Sequence, residues 1–153
     1  MPGALAVGDA APGFDLVDTH GTPVHLADLR GAPVLLVFFP FAFSRTCTDE
    51  LRDLRDAAAD LDAAGASVLA VSCDPMFALK AWAEDEGFRF PLLSDFWPHG
   101  QVARRYGVLD ETDGHALRGS FLIDAAGNLV WSTVVGRSDR RDIAAHRAAL
   151  TLL

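Results

Sequence analysis

The chain has only two cysteines, Cys47 and Cys73, in 153 residues. That excludes the disulfide framework of a small secreted domain, and in a reducing compartment such thiols are reactive or buried rather than permanently bridged. Positive charge is also scarce: 13 Lys and Arg stand against 21 Asp and Glu, a net charge of −8. Nucleic acid or an anionic membrane would need a basic face, so neither is expected as a partner. Long apolar runs are missing too. The longest, Val34 to Phe39, falls far short of the ~20 residues of a membrane span. The opening segment, Met1 to Asp9, has no basic region and no apolar stretch of signal-peptide length. A cytoplasmic protein is expected. No phosphate-binding glycine loop or dinucleotide fingerprint occurs. The five histidines, His20, His25, His99, His115 and His146, are scattered rather than set at metal-ligand spacing. They read as loop or surface residues that catalysis does not need, and neither metal nor cofactor is expected.

No repeat, low-complexity tract or linker divides the chain, so one domain over residues 1–153 is expected. At this length it buries roughly 70% of the surface its unfolded form exposes. Gly13–Val17 and Val24–Leu26 alternate around a polar turn and predict an N-terminal β-hairpin. Val34–Phe39 and Val68–Ser72 are continuous β-type runs, suited to strands covered on both faces. From Cys47 to about Ala64, Leu51, Leu54, Ala58 and Leu61 recur at helical spacing, with Gly65 as the stop. A second helix is predicted over Met76–Glu86, closed by Gly87, then an extended segment at Phe90–Asp95 and a short helix at Gly100–Tyr106. Arg118–Asp124 and Leu129–Val134 flank a turn at Ala125–Asn128, and a last helix runs from Ser138 to Leu150. This order predicts an α/β domain, parallel strands with crossover helices closed by an antiparallel hairpin.

Cys47 stands where the first buried strand hands over to a helix, the side of an α/β sheet that carries sites. A free thiol, pKa about 8.5, is only roughly 7% thiolate near neutral pH. The N–H groups and partial positive charge of a helix N-terminus favour the anion, as does a nearby arginine. A depression of ~2.5 units corresponds to about 3.4 kcal/mol and would make the nucleophilic form dominant. Against this, lone cysteines commonly pack as small hydrophobes. The polar residues Ser44, Arg45 and Thr46 before Cys47 belong to a loop and not to a core.

Pro40-Phe41-Ala42-Phe43-Ser44-Arg45-Thr46-Cys47 resembles the signature of the peroxiredoxin family: proline, three residues, threonine or serine, two residues, cysteine. Val7–Phe14 resembles the family's opening, and Cys47-Thr48-Asp49-Glu50-Leu51 resembles the stretch that begins at its peroxidatic cysteine. Leu92–Asp95, Tyr106–Val108 and Arg118 before Phe121–Asp124 complete the landmarks in order. Phe38–Phe43, Ser72–Pro75 and Phe96–Gly100 are similar to the one-cysteine subfamily called alkyl hydroperoxide reductase E. The resemblance implies a thioredoxin-like fold, a central mixed sheet flanked by helices.

It also implies roles. Cys47 attacks the peroxide and becomes a sulfenic acid. Ser44, at the usual threonine position, hydrogen-bonds the peroxide. Arg118, with the Cys47 backbone N–H, stabilises charge on the departing oxygen. Pro40 limits water access. Glu50 orients Arg118, and Thr46 supports the loop. Where some members carry a resolving cysteine, five residues on, this chain has Arg52. Cys73 is then the internal alternative, and the preferred cycle is one-cysteine with an external thiol. Mycothiol with a mycoredoxin, or another glutaredoxin- or thioredoxin-like protein, would be the reductant. A homodimer is implied as well, and Phe41, Phe43, Trp82, Phe96 and Trp97 are candidates for pocket or dimer contacts. Two rivals stay open: a two-cysteine cycle through Cys73, and a non-catalytic thioredoxin-fold sensor or binding module.

Overall fold

A computed structural model describes residues 5–136 and 139–153. In chain order the elements are β1 (Asp15–Val17), β2 (Pro23–His25), β3 (Val34–Phe38), α1 (Arg45–Asp56), α2 (Ala58–Ala63), β4 (Ser67–Ser72), α3 (Met76–Glu86), β5 (Leu92–Ser94), α4 (Gln101–Arg105), β6 (Arg118–Ile123), β7 (Leu129–Val135) and α5 (Ile143–Ala149). All seven strands join one sheet in the order β2-β1-β5-β4-β3-β6-β7. β3, β4 and β5 are parallel neighbours, and antiparallel pairs attach β1 to β5 and β6 to β3. This mixed sheet with helices over it is the expected thioredoxin-like architecture, N-terminal hairpin included.

β3 shows why the centre holds. Its residues are all buried, and their faces alternate with the two-residue strand period. Val34, Leu36 and Phe38 pack with Leu69, Val71, Tyr106 and Phe121 on one face. Leu35 and Val37 pack with Leu54, Leu61 and Leu122 on the other, beneath α1, α2 and α5. Leu122 shares that second face, so the two-residue period puts Ser120 and Arg118 there too, beside α1. None of the described helices is long and apolar enough to cross a membrane.

Several boundaries move. The helix expected from Cys47 to Ala64 begins at Arg45 and breaks at Ala57 into α1 and α2. The early start comes from Ser44, whose side chain caps it. The last helix begins at Ile143 because Asp142 accepts from the Ala145 N–H as its cap; Ser138 lies outside the described residues. α3 ends as expected, with Gly87 left-handed at φ 67°.

Candidate active site

The loop between β3 and α1 is built to set one thiol. Phe39 ends the buried run and Pro40 is half-buried. Phe43 takes a positive φ of 68°, uncommon for a large side chain, and reverses the chain before Ser44. Ser44 is then extended, and its Oγ accepts from the Cys47 N–H at 3.2 Å. Its carbonyl accepts from the Thr48 N–H at 2.9 Å and the Thr48 hydroxyl at 2.7 Å. Thr46, half-buried, occupies the first turn beside them. Cys47 is therefore the third residue of α1, and the cap takes the backbone N–H that had been expected to face the departing oxygen.

Asp74 fastens this loop from below. Its carboxylate accepts from the Ala42 N–H at 2.8 Å and from the Ser72 hydroxyl at 2.7 Å. Phe43 leans on Trp82 with ring centres 6.3 Å apart, and Trp82 on Phe39 at 5.2 Å. Trp82, a candidate for pocket or dimer contacts, is a core residue of α3. Phe41, Phe43, Phe96 and Trp97 are exposed, as is Phe77.

Cys47 is fully buried, packed among Phe39, Leu51, Ala70, Leu79 and Trp82. Arg118, at the start of β6, directs Nη1 to the sulfur at 3.4 Å. The same nitrogen donates to Glu50, which lies within α1 beneath the thiol. The second oxygen of Glu50 accepts from the Arg141 backbone N–H at 2.9 Å, with Arg141 Nε at 3.1 Å. Arg141 Nη1 donates to Gly119 O at 2.9 Å and to Ser120 Oγ at 2.8 Å, while Nη2 donates to Phe38 O. Burial pushes this guanidinium down to about 10, with Glu50 opposing, so it stays protonated at neutral pH. All three charged groups are buried. Their formal charges, one carboxylate against two guanidiniums, leave one positive charge in a low-dielectric interior. The Cys47 sulfur lies against that charge.

The structure thus gathers Cys47, Ser44, Glu50 and Arg118, with Pro40 and Thr46 on the same loop and first turn. Sequence reading missed Arg141, Ser120 and Asp74. Period two along β6 was the one available signal, since a polar Ser120 in an apolar strand shares the face of Arg118. Two histidines contradict the surface reading. His115 is buried, in ring contact with Phe41 at 5.0 Å, and His146 is buried against β6 and Trp131. Asp110, Asp113 and His115 bring possible ligand atoms within 4.8 Å of one another. The Asp110 carboxylate already accepts from the N–H groups of Thr112 and Asp113, as a turn does.

Cys73 comes after β4 in a different setting. It is buried, and desolvation, helped by the negative charges of Asp95 and Asp74, pushes its thiol up to about 12. Arg52, in the position five after Cys47, is held in a two-pronged pair with Glu86 at 2.7 and 2.8 Å.

Residues 7–132 match the AhpC/TSA family. The chain belongs to that family. It is 45% identical over 139 residues to alkyl hydroperoxide reductase E of Mycobacterium tuberculosis (strain ATCC 25618 / H37Rv), covering 90% of this chain and 91% of that protein. It is 40% identical over 131 residues to peroxiredoxin Bcp of Escherichia coli (strain K12), covering 82% and 83%. The crystal structure of peroxidoxin BcpB from Mycobacterium tuberculosis superposes with a TM-score of 0.84 at 33% identity, covering 97% and 96%. As a peroxiredoxin the chain is a thiol peroxidase, an oxidoreductase that acts on peroxide with thiol reductants.

Proposed function

We propose that Cys47 is the peroxidatic residue and that the enzyme runs a one-cysteine cycle on hydrogen peroxide and organic hydroperoxides. The observation that carries this reading is the buried charge set, in which Arg118 reaches the sulfur at 3.4 Å while Glu50 and Arg141 hold it there. The Cys47 thiolate attacks one peroxide oxygen. An S–O bond forms, the O–O bond breaks, and sulfur is oxidised by two electrons. The departing oxygen leaves as hydroxide or alkoxide and takes a proton to become water or an alcohol. Arg118 Nε is buried and has no hydrogen-bond partner among the described residues, so it is a ready donor to that oxygen. The Ser44 oxygen is occupied as a cap acceptor, which leaves its hydroxyl proton for the peroxide. Pro40, without an N–H, closes the loop side against water.

The sulfenic acid is reduced by an external thiol: one thiol condenses with it, releasing water, and a second thiol reduces the mixed disulfide. Mycothiol with a mycoredoxin, or a glutaredoxin- or thioredoxin-like protein, fits this step in the cytoplasm. Cys73, buried and pushed up to about 12, is a poor resolving thiol. The exposed aromatics Phe41, Phe43, Phe96 and Trp97 around the loop favour a homodimer formed through this edge.

Stopped-flow tryptophan fluorescence against hydrogen peroxide tests the first step, because Trp82 packs in the same cluster as Cys47. A fast, peroxide-dependent change that disappears in Cys47→Ser supports the reading. A wild-type thiol no faster than free cysteine overturns it. Non-reducing mass analysis after one equivalent of peroxide tests the cycle, since an intramolecular disulfide would establish the two-cysteine route instead.

A further inference from the structure

His146 is a buried imidazole with no part in the chemistry at sulfur, yet it ends a continuous hydrogen-bonded chain that leads to Cys47. Its Nδ1 lies 2.7 Å from the Asp142 carbonyl, and its Nε2 lies 2.7 Å from Ser120 Oγ. A carbonyl only accepts, so Nδ1 carries the proton and Nε2 is left as an acceptor. The Ser120 hydroxyl must therefore donate to Nε2. Its oxygen is then free to accept Arg141 Nη1 at 2.8 Å. Arg141 holds Glu50, Glu50 holds Arg118, and Arg118 faces the sulfur. Each donor and acceptor in this chain is used in one consistent direction only while His146 is neutral.

We propose that His146 is a positioning residue for peroxide reduction: through Ser120 it orients Arg141, and protonation of the imidazole withdraws that support and slows Cys47. The inference rests on the peroxidatic role of Cys47. An imidazolium would present Nε2–H to an oxygen that already accepts from Arg141. The Ser120 proton would lose its acceptor, and two cations would meet across one hydroxyl.

The charged groups around His146 reinforce this. Arg141 disfavours the imidazolium and the Asp142 carboxylate favours it. From β6 come Ser120 and, along the same face, Arg118; from β7 comes the Trp131 ring, with centres 5.0 Å apart. The neighbouring charges of α5 and its approach are engaged elsewhere, Arg140 with Asp53 of α1 and Arg147 with Asp60 of α2 at 3.1 Å. Burial, the largest cause, pushes His146 below its ordinary value of 6.5. The support is therefore complete at neutral pH and is lost as pH falls through the lowered value.

The test measures the second-order rate constant of Cys47 oxidation by hydrogen peroxide, by stopped-flow fluorescence, across about pH 4.5 to 8. His146→Phe removes the acceptor and is expected to slow the reaction about fivefold at neutral pH, the change equivalent to one neutral hydrogen bond. His146→Gln restores an acceptor that cannot titrate and is expected to rescue most of that loss. In wild type, protonation of His146 adds a further fall of about fivefold to the acid side of the rate profile; in His146→Gln, which cannot titrate, that extra fall is absent. A wild-type rate in His146→Phe overturns the inference, as does an unchanged acid limb in His146→Gln. If the phenylalanine variant does not fold, the glutamine profile decides alone. A wild-type protein no faster than free cysteine at every pH overturns the Cys47 reading instead, and this inference with it.

Discussion

Cys47 and Cys73 occupy similar places in the fold and opposite chemical environments. Each comes after a buried parallel strand on the way to a helix, and each is buried, at 0% and 7% exposure. Burial by itself disfavours a thiolate. At Cys73 the neighbours add to that effect, because Asp74 and Asp95 are negative and the thiol is pushed up to about 12. At Cys47 the neighbours oppose it. Ser44 fixes the first turn of α1 around the residue, and Arg118 brings positive charge to 3.4 Å. The two buried cysteines thus differ in the sign of the charge folded against them, and on the proposed reading that difference accompanies one reactive and one inert thiol.

The largest effect that would break this comparison is at Cys47 itself. Cys47→Ser is expected to abolish the peroxide-dependent fluorescence change and all steady-state peroxide consumption with added thiol. Removing the charge while keeping the sulfur should come next. Arg118→Ala is expected to lower the oxidation rate constant by about 10²–10³-fold, the range for losing a preorganised donor in a dry site. Stopped-flow measurement at neutral pH checks it, and a loss under threefold would mean that charge is not what separates the two cysteines. Asp74→Ala frees the Ala42 N–H and loosens the loop; about a tenfold slowing is expected, with the purified fold intact by circular dichroism. Ser44→Ala removes the cap and should cost about 1 kcal/mol of stability by urea denaturation, in addition to any loss of rate. The smallest effect belongs to Cys73. Cys73→Ser is expected to leave the rate constant within about twofold, and in Cys47→Ser the remaining thiol should resist iodoacetamide near pH 8 until the protein is unfolded. Rapid alkylation of native Cys73 would erase the contrast.

The element order and the placement of Cys47 were legible because they rest on local patterns. The apolar run of β3, the change to helical spacing in α1 and the glycine after α3 are each decided within a few residues. The start of α1 was not read correctly: the helix was expected from Cys47, and the Ser44 cap starts it at Arg45. The break at Ala57 was not visible, because the apolar spacing continues across it. Nor were the burials of Trp82, His115 and His146, each made by surfaces distant in sequence.

By itself, the sequence determined an acidic chain with Cys47 at the crossover from its first buried strand to a helix, and with Arg118 and Glu50 at the spacings of a known family. Only the tertiary structure decided which of the remaining polar residues share the site. Arg141 meets Glu50 across 91 positions, Ser120 across 21 and Phe38 across 103. Arg140, its neighbour in sequence, turns outward to Asp53. Two adjacent arginines differ in this way because hydrogen bonds and charge balance in a buried cluster depend on three-dimensional direction, which no local pattern in the chain encodes.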